Sequence, residues 1–328
     1  MLKKLRKNKE DAVLLNTESI INETMIVEPL KIELVNTVPM KTAPMNTAPA
    51  ITVKLTAEDL EQINSVHTGT TINVPNVKYA CSTHIGTRES QQDYIDAGMG
   101  VNGVVFGIVC DGMGGLEGGE AASSTAAQAM AAALINMDPG CDIPVFLAKQ
   151  ALHINKLVHD LPFESEDGNG AGTTIVAAVI VDKNLYWLAI GDSRIYIIRQ
   201  NEIETVTRDH SYSMELDELV RTGRMTPQDA AADPMRDALI SFLGVADLKL
   251  IDCNQNPFIL DPGDIVLLCS DGLYRSLSEH DIMDVIKRHG DDIEECARVL
   301  PLYAYDKSPG GQDNTSVVIL KYQHGHSV

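Results

Sequence analysis

The chain has 328 residues, of which 44% are hydrophobic, and this suits a globular protein with a substantial core. Its formal net charge is −20, from 46 acidic and 26 basic side chains. Because so acidic a surface repels nucleic acid and anionic lipid, we expect neither as a partner.

The cysteines and the apolar runs indicate the compartment. The six cysteines form no CxxC pair, which favours unpaired thiols in a reducing cytosol. No apolar run approaches the ~18 residues that a membrane span needs. The basic start of the chain has an apolar stretch too short and too interrupted for a signal peptide. We therefore expect a cytoplasmic protein with no membrane span, acting as a monomer.

The first 75 residues differ in composition from the rest. They hold eight Lys or Arg and nine Asp or Glu, so nearly all of the excess acidity lies after them. Residues 36–50 are rich in Pro, Thr, Ala, Met and Asn without helical or strand periodicity, which predicts an extended linker. Residues 26–35 and 50–55 could each add a strand to a sheet. We expect 1–75 to be a flexible, largely disordered extension, with a docking segment as the alternative, and 76–328 to be the folded domain.

From residue 76 onward, short β-branched apolar runs alternate with turn residues and a few helical patterns. Strands are predicted at 77–86, 103–110, 173–181, 185–191, 194–200, 258–260, 264–270 and 314–322. Helices are predicted at 119–137, 145–161, 281–290 and 292–307. Two helices early, two late and many hairpins between them predict sheets with helices packed outside.

Four aspartates stand at similar places relative to these strands. Asp111 ends an apolar run in GIVCDGMGG, Asp271 ends another in LLCSDG, Asp93 follows a glycine turn, and Asp313 precedes the last strand. Each alone suits a turn or helix cap. Their joint pattern favours acids held together on a rigid sheet rim.

Clustered carboxylates repel one another, and divalent cations relieve that repulsion. Oxygen ligands without suitably spaced His or Cys indicate Mg²⁺ or Mn²⁺ rather than Zn²⁺. Gly112, beside Asp111, leaves room for a backbone carbonyl to approach a cation. Two such ions lower the pKa of a bridging water and supply a hydroxide nucleophile, which suits phosphoester hydrolysis.

Arg88 lies five residues before Asp93. Its planar guanidinium can bind phosphate oxygens in a bidentate fork. Taken alone, an Arg near an Asp is more often an ordinary surface ion pair, and only the neighbouring acids favour the phosphate-binding role.

Seven blocks of the sequence resemble those of the metal-dependent protein phosphatases of the PPM/PP2C type, in the family's order. They cover about residues 78–320: STHIGTRESQQD, VCDGMGGLEGGEAAS, GAGTT, AIGDSRIY, TRDHS, LLCSDGLYRSLS and GGQDNTS. The Met of DGMGG and the segment after DHS resemble the bacterial branch. The resemblance implies an α+β fold, an α-β-β-α sandwich of two antiparallel sheets flanked by helix pairs, with a dinuclear metal site at one end.

The resemblance also implies a role for each matching position. The metal-binding acids would be Asp93, Asp111, Asp271 and Asp313, with the Gly112 carbonyl as a further ligand and Arg88 as the phosphate-binding residue. Asp192 in GDSR would hold a weaker third ion together with Asp271, although alone it fits a hairpin turn. Two Mn²⁺ or Mg²⁺ ions are thus implied, with a weaker third. Residues 208–236 match a mobile flap beside the site.

Three positions depart from the family pattern. Gln91 replaces the usual Asn two residues before the first Asp, and Gln92 follows it as in many bacterial members. Met113 stands where animal members carry a His, and a thioether cannot donate a proton. His84 and His210 are weak alternatives as acids, since a lone His is more often structural.

The sequence thus predicts a metal-dependent protein serine/threonine phosphatase that acts on phosphorylated proteins, the targets of a bacterial Ser/Thr kinase. One alternative is a catalytically silent binding module with the same fold. Another is a phosphatase dedicated to one phosphoserine regulator, of the anti-sigma-factor-antagonist type.

Overall fold

The computed structural model describes residues 13–15, 76–162 and 171–323. Within these ranges thirteen strands occur, here in chain order: β1 Val13–Leu15, β2 Val77–His84, β3 Asp93–Met99, β4 Val105–Met113, β5 Gly172–Thr173, β6 Ile175–Val181, β7 Asn184–Ile190, β8 Arg194–Arg199, β9 Glu202–Thr205, β10 Ile251–Cys253, β11 Phe258–Ile259, β12 Ile265–Cys269 and β13 Thr315–Tyr322. One antiparallel sheet has the order β1-β10-β7-β6-β4-β3, with β5 paired to β4 and β11 to β7. The other has the order β2-β13-β12-β8-β9.

The same ranges contain seven helices: α1 Gly115–Ile135, α2 Ile143–His159, α3 Ser213–Arg221, α4 Pro227–Ala232, α5 Asp271–Tyr274, α6 Glu279–His289 and α7 Ile293–Lys307. Helices α1 and α2 share a hydrophobic cluster with the first sheet, and α6 and α7 share another with the second. A third cluster lies between the sheets. The predicted α-β-β-α sandwich is confirmed.

Strand β4 shows how the sequence produces these layers. Alternate side chains of a strand point to opposite faces. Phe106 faces the helices, whereas Val105 and Val109 face the second sheet. At Gly107 an added Cβ would lie 2.7 Å from Val318 Cγ1, so the missing side chain leaves room for the second sheet to pack against β4. An unbroken apolar run is therefore the expected pattern for this doubly covered strand.

The two late helices begin directly after residues whose side chains cap them. Ser278 and Asp281 form a capping box at the start of α6, and the last turn of α6 carries Lys287, Arg288 and His289. The side chain of Asp292 accepts from the Glu295 N–H at the start of α7. All four helices predicted from periodicity are confirmed within a few residues.

Three strands of the first sheet, β1, β3 and β10, were not predicted. Strand β3 has the sequence DYIDAGM and is mostly half-buried at the edge, so it lacks the apolar run that identifies a strand. Strand β10 has only three residues. Val13–Leu15 pairs antiparallel with β10, whereas the predicted linker 36–50 and the segments 26–35 and 50–55 lie outside the described residues. No helix in the described ranges is long and apolar enough to cross a bilayer.

Candidate active site

The four predicted metal-binding aspartates lie at strand ends on one edge of the sandwich. Asp93 begins β3 and stands directly opposite Asp111 of β4 in the antiparallel register. Asp271 follows β12 and begins α5, and Asp313 lies just before β13, the neighbour of β12. Strands β3 and β4 belong to one sheet, and β12 and β13 belong to the other. The acids converge because the two sheets pack face to face and these strand ends lie at the same edge.

A cleft of about 670 Å³ opens at this edge. Among the residues that line it are six of the seven predicted site residues: Arg88, Asp111, Gly112, Asp192, Asp271 and Asp313. The seventh, Asp93, is only 6% exposed and interacts electrostatically with Asp271 and Asp313. The structure therefore brings together every predicted site residue.

Asp93 is the most deeply buried of these acids. Its Oδ2 accepts a hydrogen bond of 2.7 Å from Ser270 Oγ, whereas its Oδ1 is buried without a hydrogen-bond partner among the described residues. Burial raises the pKa of Asp93 to about 7, with hydrogen bonds from Ser270 and Ser316 opposing the rise and Asp271 and Asp313 adding to it. A buried carboxylate oxygen of this kind has the chemistry of a cation ligand.

The pKa values of Asp111 and Asp271 are also raised. Burial, followed by the charges of neighbouring carboxylates, raises the pKa of Asp111 well above its ordinary range. The pKa of Asp271 rises to about 6, through burial first, although Arg275 opposes the rise. A hydrogen bond between the Asp111 and Asp271 carboxyls also lowers the pKa of Asp271. Two carboxyl groups this close cannot both stay ionised without a cation.

Gly112 has a packing reason as well as the predicted ligand role. An added Cβ would lie 2.1 Å from the Gly119 carbonyl oxygen and 2.7 Å from that of Gln92. Its N–H also donates to the Gln92 carbonyl at 3.1 Å. The end of β4 is thus pressed between α1 and the residue before Asp93, which holds the two neighbouring acids in register.

Arg88 lies on the loop between β2 and β3, and its Nη2 is 2.6 Å from Asp313 Oδ2. Its side chain is 60% exposed, so the guanidinium is accessible to a ligand in the cleft. Asn314 holds the loop by donating from Nδ2 to the carbonyls of Ile85 and Ser90. Asn314 Oδ1 also accepts from the Gln92 N–H. Sequence reasoning gave Asn314 no role, although it follows Asp313 directly.

Asp192 lies in the turn between β7 and β8 and is only 7% exposed. Its carbonyl accepts from Tyr274 Oη at 3.0 Å. Arg275, which sequence reasoning did not single out, contacts both Asp192 and Asp271. The spacing of four residues from Asp271 to Arg275 in a helical turn was the available signal.

The departures from the family pattern now have structural roles. Gln91 Oε1 accepts from the Asp93 N–H at 3.0 Å, and its Nε2 donates to Thr83 Oγ1 at 2.6 Å. The longer side chain therefore fastens the backbone of Asp93 to β2. Met113 lines the cleft.

His210 is fully buried, and its Nδ1 accepts from the Gly191 N–H at 3.3 Å. Burial lowers the pKa of His210 to about 4, so the ring is neutral near pH 7. His84 Nδ1 accepts from the Gly86 N–H, and its ring lies 4.9 Å from that of Tyr305. Both histidines have the structural contacts that the sequence favoured for them.

The predicted flap, 208–236, contains the two short helices α3 and α4. Its two ends are joined by hydrogen bonds from the Ser213 N–H to the Arg236 carbonyl and from the Tyr212 N–H to the Ala238 carbonyl. Asp237 and Leu239, which directly follow the predicted range, line the cleft. The segment is thus adjacent to the site through its C-terminal end.

The donor set fits divalent cations. Within the described ranges, no three His, Cys, Asp or Glu side chains are arranged as a complete metal-binding group. The acids contact Ser270, Arg88 and Arg275 instead. However, the buried Asp93 Oδ1 has no hydrogen-bond partner among the described residues, and the pKa values of Asp93 and Asp111 are raised, as expected for an oxygen site for Mg²⁺ or Mn²⁺.

Comparison with known proteins identifies the family. Residues 81–300 match the family model of protein phosphatase 2C. The serine/threonine phosphatase stp of Listeria welshimeri is 35% identical over 221 residues, which are 65% of this chain and 83% of that protein.

Solved structures are similar as well. The S. agalactiae serine/threonine phosphatase superposes with a TM-score of 0.67 at 30% identity, covering 75% of this chain and all of that one. The catalytic domain of the phosphatase PstP, solved with two manganese ions, has a TM-score of 0.58 at 28% identity, covering 76% of this chain and 99% of that one. The family model spans well over half of the sequence. The chain therefore belongs to the protein phosphatase 2C family.

Proposed function

We propose that this chain is a metal-dependent protein phosphatase that hydrolyses phosphoserine and phosphothreonine. The observation that carries the proposal is the convergence of the five predicted aspartates and the exposed Arg88 at a single cleft. The names of the similar proteins, which are serine/threonine phosphatases, support the same reaction.

The cation ligands in this proposal are Asp93, Asp111, Asp271 and Asp313, with the carbonyl of Gly112. Two divalent cations, Mn²⁺ or Mg²⁺, when bound there supply a water activated near neutral pH and neutralise charge on the phosphate. The chain's own contribution is to hold the ligand side chains in fixed positions. The register of β3 and β4, the Ser270 hydrogen bond and the Gln91 bridge fix the position of Asp93. Asp192 with Asp271 is proposed to hold a weaker third ion.

Arg88 binds the phosphate. Its guanidinium exchanges the partly exposed Asp313 carboxylate for phosphate oxygens, which accept its two parallel N–H bonds. Exchange costs little, because an exposed ion pair of this kind contributes only ~0–1 kcal/mol. The loop held by Asn314 keeps the guanidinium over the cleft.

The leaving alkoxide takes its proton from solvent in this proposal. Met113 has no proton to donate, and His210, with a pKa of about 4, is unprotonated at neutral pH. His84 is not among the residues that line the cleft.

The substrates are phosphorylated proteins, and the kinase that makes them is a bacterial Ser/Thr kinase. This is inferred from the family, together with a cytoplasmic location and a monomeric state. The acidic surface makes nucleic acid an unfavourable partner.

Phosphate release from a phosphothreonine peptide and from p-nitrophenyl phosphate tests the proposal. With Mn²⁺ present the purified protein should release phosphate, and a chelator should stop it. A catalytically silent module would release none, although the full set of acids favours the enzyme. Rates across several phosphopeptides and one phosphoserine regulator then separate a broad phosphatase from a dedicated one.

A further inference from the structure

Arg275 bridges two buried carboxylates beside the cleft. It directly follows α5, and its Nε lies 2.8 Å from Asp271 Oδ2. Its Nη2 lies 3.4 Å from Asp192 Oδ2. One guanidinium therefore spans the two acids to which the family resemblance gives a third ion.

The two ion pairs of Arg275 differ from an ordinary surface ion pair because their carboxylates are largely buried. The side chains of Asp192 and Asp271 are only 10% and 14% exposed, whereas Arg275 is 47% exposed. Carboxylates this sheltered need a counter-charge, and removing it costs more than breaking an exposed pair. The exposed side of Arg275 faces the cleft that it lines.

The neighbouring arginine already has another partner. Arg194 forms two hydrogen bonds to Asp209, of 2.9 Å and 2.6 Å, and its guanidinium lies 3.5 Å above the Tyr274 ring. The Tyr274 hydroxyl in turn donates to the Asp192 carbonyl. These contacts hold the backbone of Asp192, whereas its side-chain carboxylate contacts Arg275.

We propose that Arg275 is the resident counter-ion of the Asp192–Asp271 pair, so that a third divalent ion binds there only by displacing its guanidinium. This rests on the proposed two-cation phosphatase site. Arg275 contacts Asp271 through Oδ2, which is one of its two carboxylate oxygens. Arg275 is accordingly a positioning residue, because it acts through the two carboxylates rather than on the substrate.

Counting bound Mn²⁺ tests the proposal without using activity. Equilibrium dialysis over micromolar to millimolar Mn²⁺ would compare the wild type, Arg275→Gln and Arg298→Gln. Arg298 is a matched control, since it pairs with Glu295 on α7 and does not line the cleft. Both substitutions remove one positive charge, so the overall field of the protein changes equally.

The wild type and Arg298→Gln should bind two ions tightly and a third only weakly. Arg275→Gln should bind the third at least about tenfold more tightly, which corresponds to ~1.4 kcal/mol. Arg275→Lys keeps the charge but not the fork, so its third site should have intermediate affinity, and this variant also serves if the Gln variant does not fold.

Two results would overturn the proposal. One is a third site of equal affinity in the wild type and in Arg275→Gln. The other is a stoichiometry that stays at two ions in every variant. Failure of the proposed function is distinguishable, because then even the wild type would bind no Mn²⁺ tightly.

Discussion

Asp93 and Asp111 occupy directly opposed positions on β3 and β4, so two carboxylates are held side by side by the sheet itself. Directly opposed like charges destabilise a sheet. Asp271 and Asp313 also arrive at this edge, and burial, followed by the charges of neighbouring carboxylates, raises the pKa values of Asp93 and Asp111. The opposed carboxylates thus lower the stability of the folded protein, and the same cluster of negative charge attracts divalent cations.

The stability of the metal-free protein should fall as the pH rises from about 4 to about 7. The pKa values of Asp93 and Asp271, about 7 and about 6, lie above the 3.8 of an ordinary Asp. In this window the folded state therefore holds protons that the unfolded chain has released, so each rise in pH favours unfolding. Calorimetric melting in the presence of a chelator measures the slope.

Asp93→Asn is the control for that slope, because it removes the acid but keeps its shape. The variant should show a flatter dependence, and Mn²⁺ should flatten that of the wild type above pH 6 by replacing the protons. If the melting temperature rose equally in the wild type and in Asp93→Asn between pH 4 and pH 7, the folded state would not raise the pKa values of these acids.

Arg88→Ala should weaken binding of phosphate as a competitive inhibitor by about 10–100-fold, since hydrogen bonds to a charged group contribute ~1.5–3 kcal/mol. Mn²⁺ affinity should change by no more than about fivefold, because the Arg88–Asp313 pair is exposed. Inhibition constants and calorimetric Mn²⁺ titration measure the two effects. Equal losses of phosphate and Mn²⁺ affinity would show that Arg88 supports the metal site instead.

Gly112→Ala should destabilise the protein by about 1–3 kcal/mol, because its Cβ would collide with the backbone of α1. Activity should fall as well, since relief of the clash moves Asp111. Gly310→Ala is the matched control, as an added Cβ there meets nothing within 4 Å. Urea unfolding of both variants gives the comparison, and equal stability would contradict the packing role of Gly112.

Deleting residues 1–75 should spare turnover of p-nitrophenyl phosphate, because the cleft is lined by residues from Thr87 onward. The deletion removes β1 from the edge of β10 and should lower stability by about 1–3 kcal/mol, the scale of a few backbone hydrogen bonds. Deleting only residues 1–12 keeps β1 and is the control. A large loss of turnover in the longer deletion would place part of the extension in the active domain.

The sequence predicted the parts of the site that lie at the ends of apolar runs. Asp111 and Asp271 were recognisable because a carboxylate and a glycine interrupt buried strands. Asp93 and Arg88 were singled out only by their neighbours in the chain, and their roles depended on the family resemblance, since β3 is a half-buried edge strand without a clear pattern.

Other features depend on contacts between residues far apart in the chain. Ser270 reaches Asp93 across 177 positions, and Asn314 reaches the loop before β3 across more than 220. Such partners are determined by how the two sheets pack, which no local periodicity reveals. Arg275 was within reach of local reasoning through its helical spacing to Asp271.

The most direct test of the account is the Mn²⁺-dependent rate of phosphate release by Asp271→Asn beside Asp247→Asn, an exposed aspartate outside the cleft. Asp271→Asn should fold like the wild type but lose turnover by more than the ~10–100-fold expected for a residue that only supports a metal ligand. Asp247→Asn should keep the wild-type rate. If Asp271→Asn retained Mn²⁺-dependent turnover, the aspartate cluster would not be the catalytic metal site.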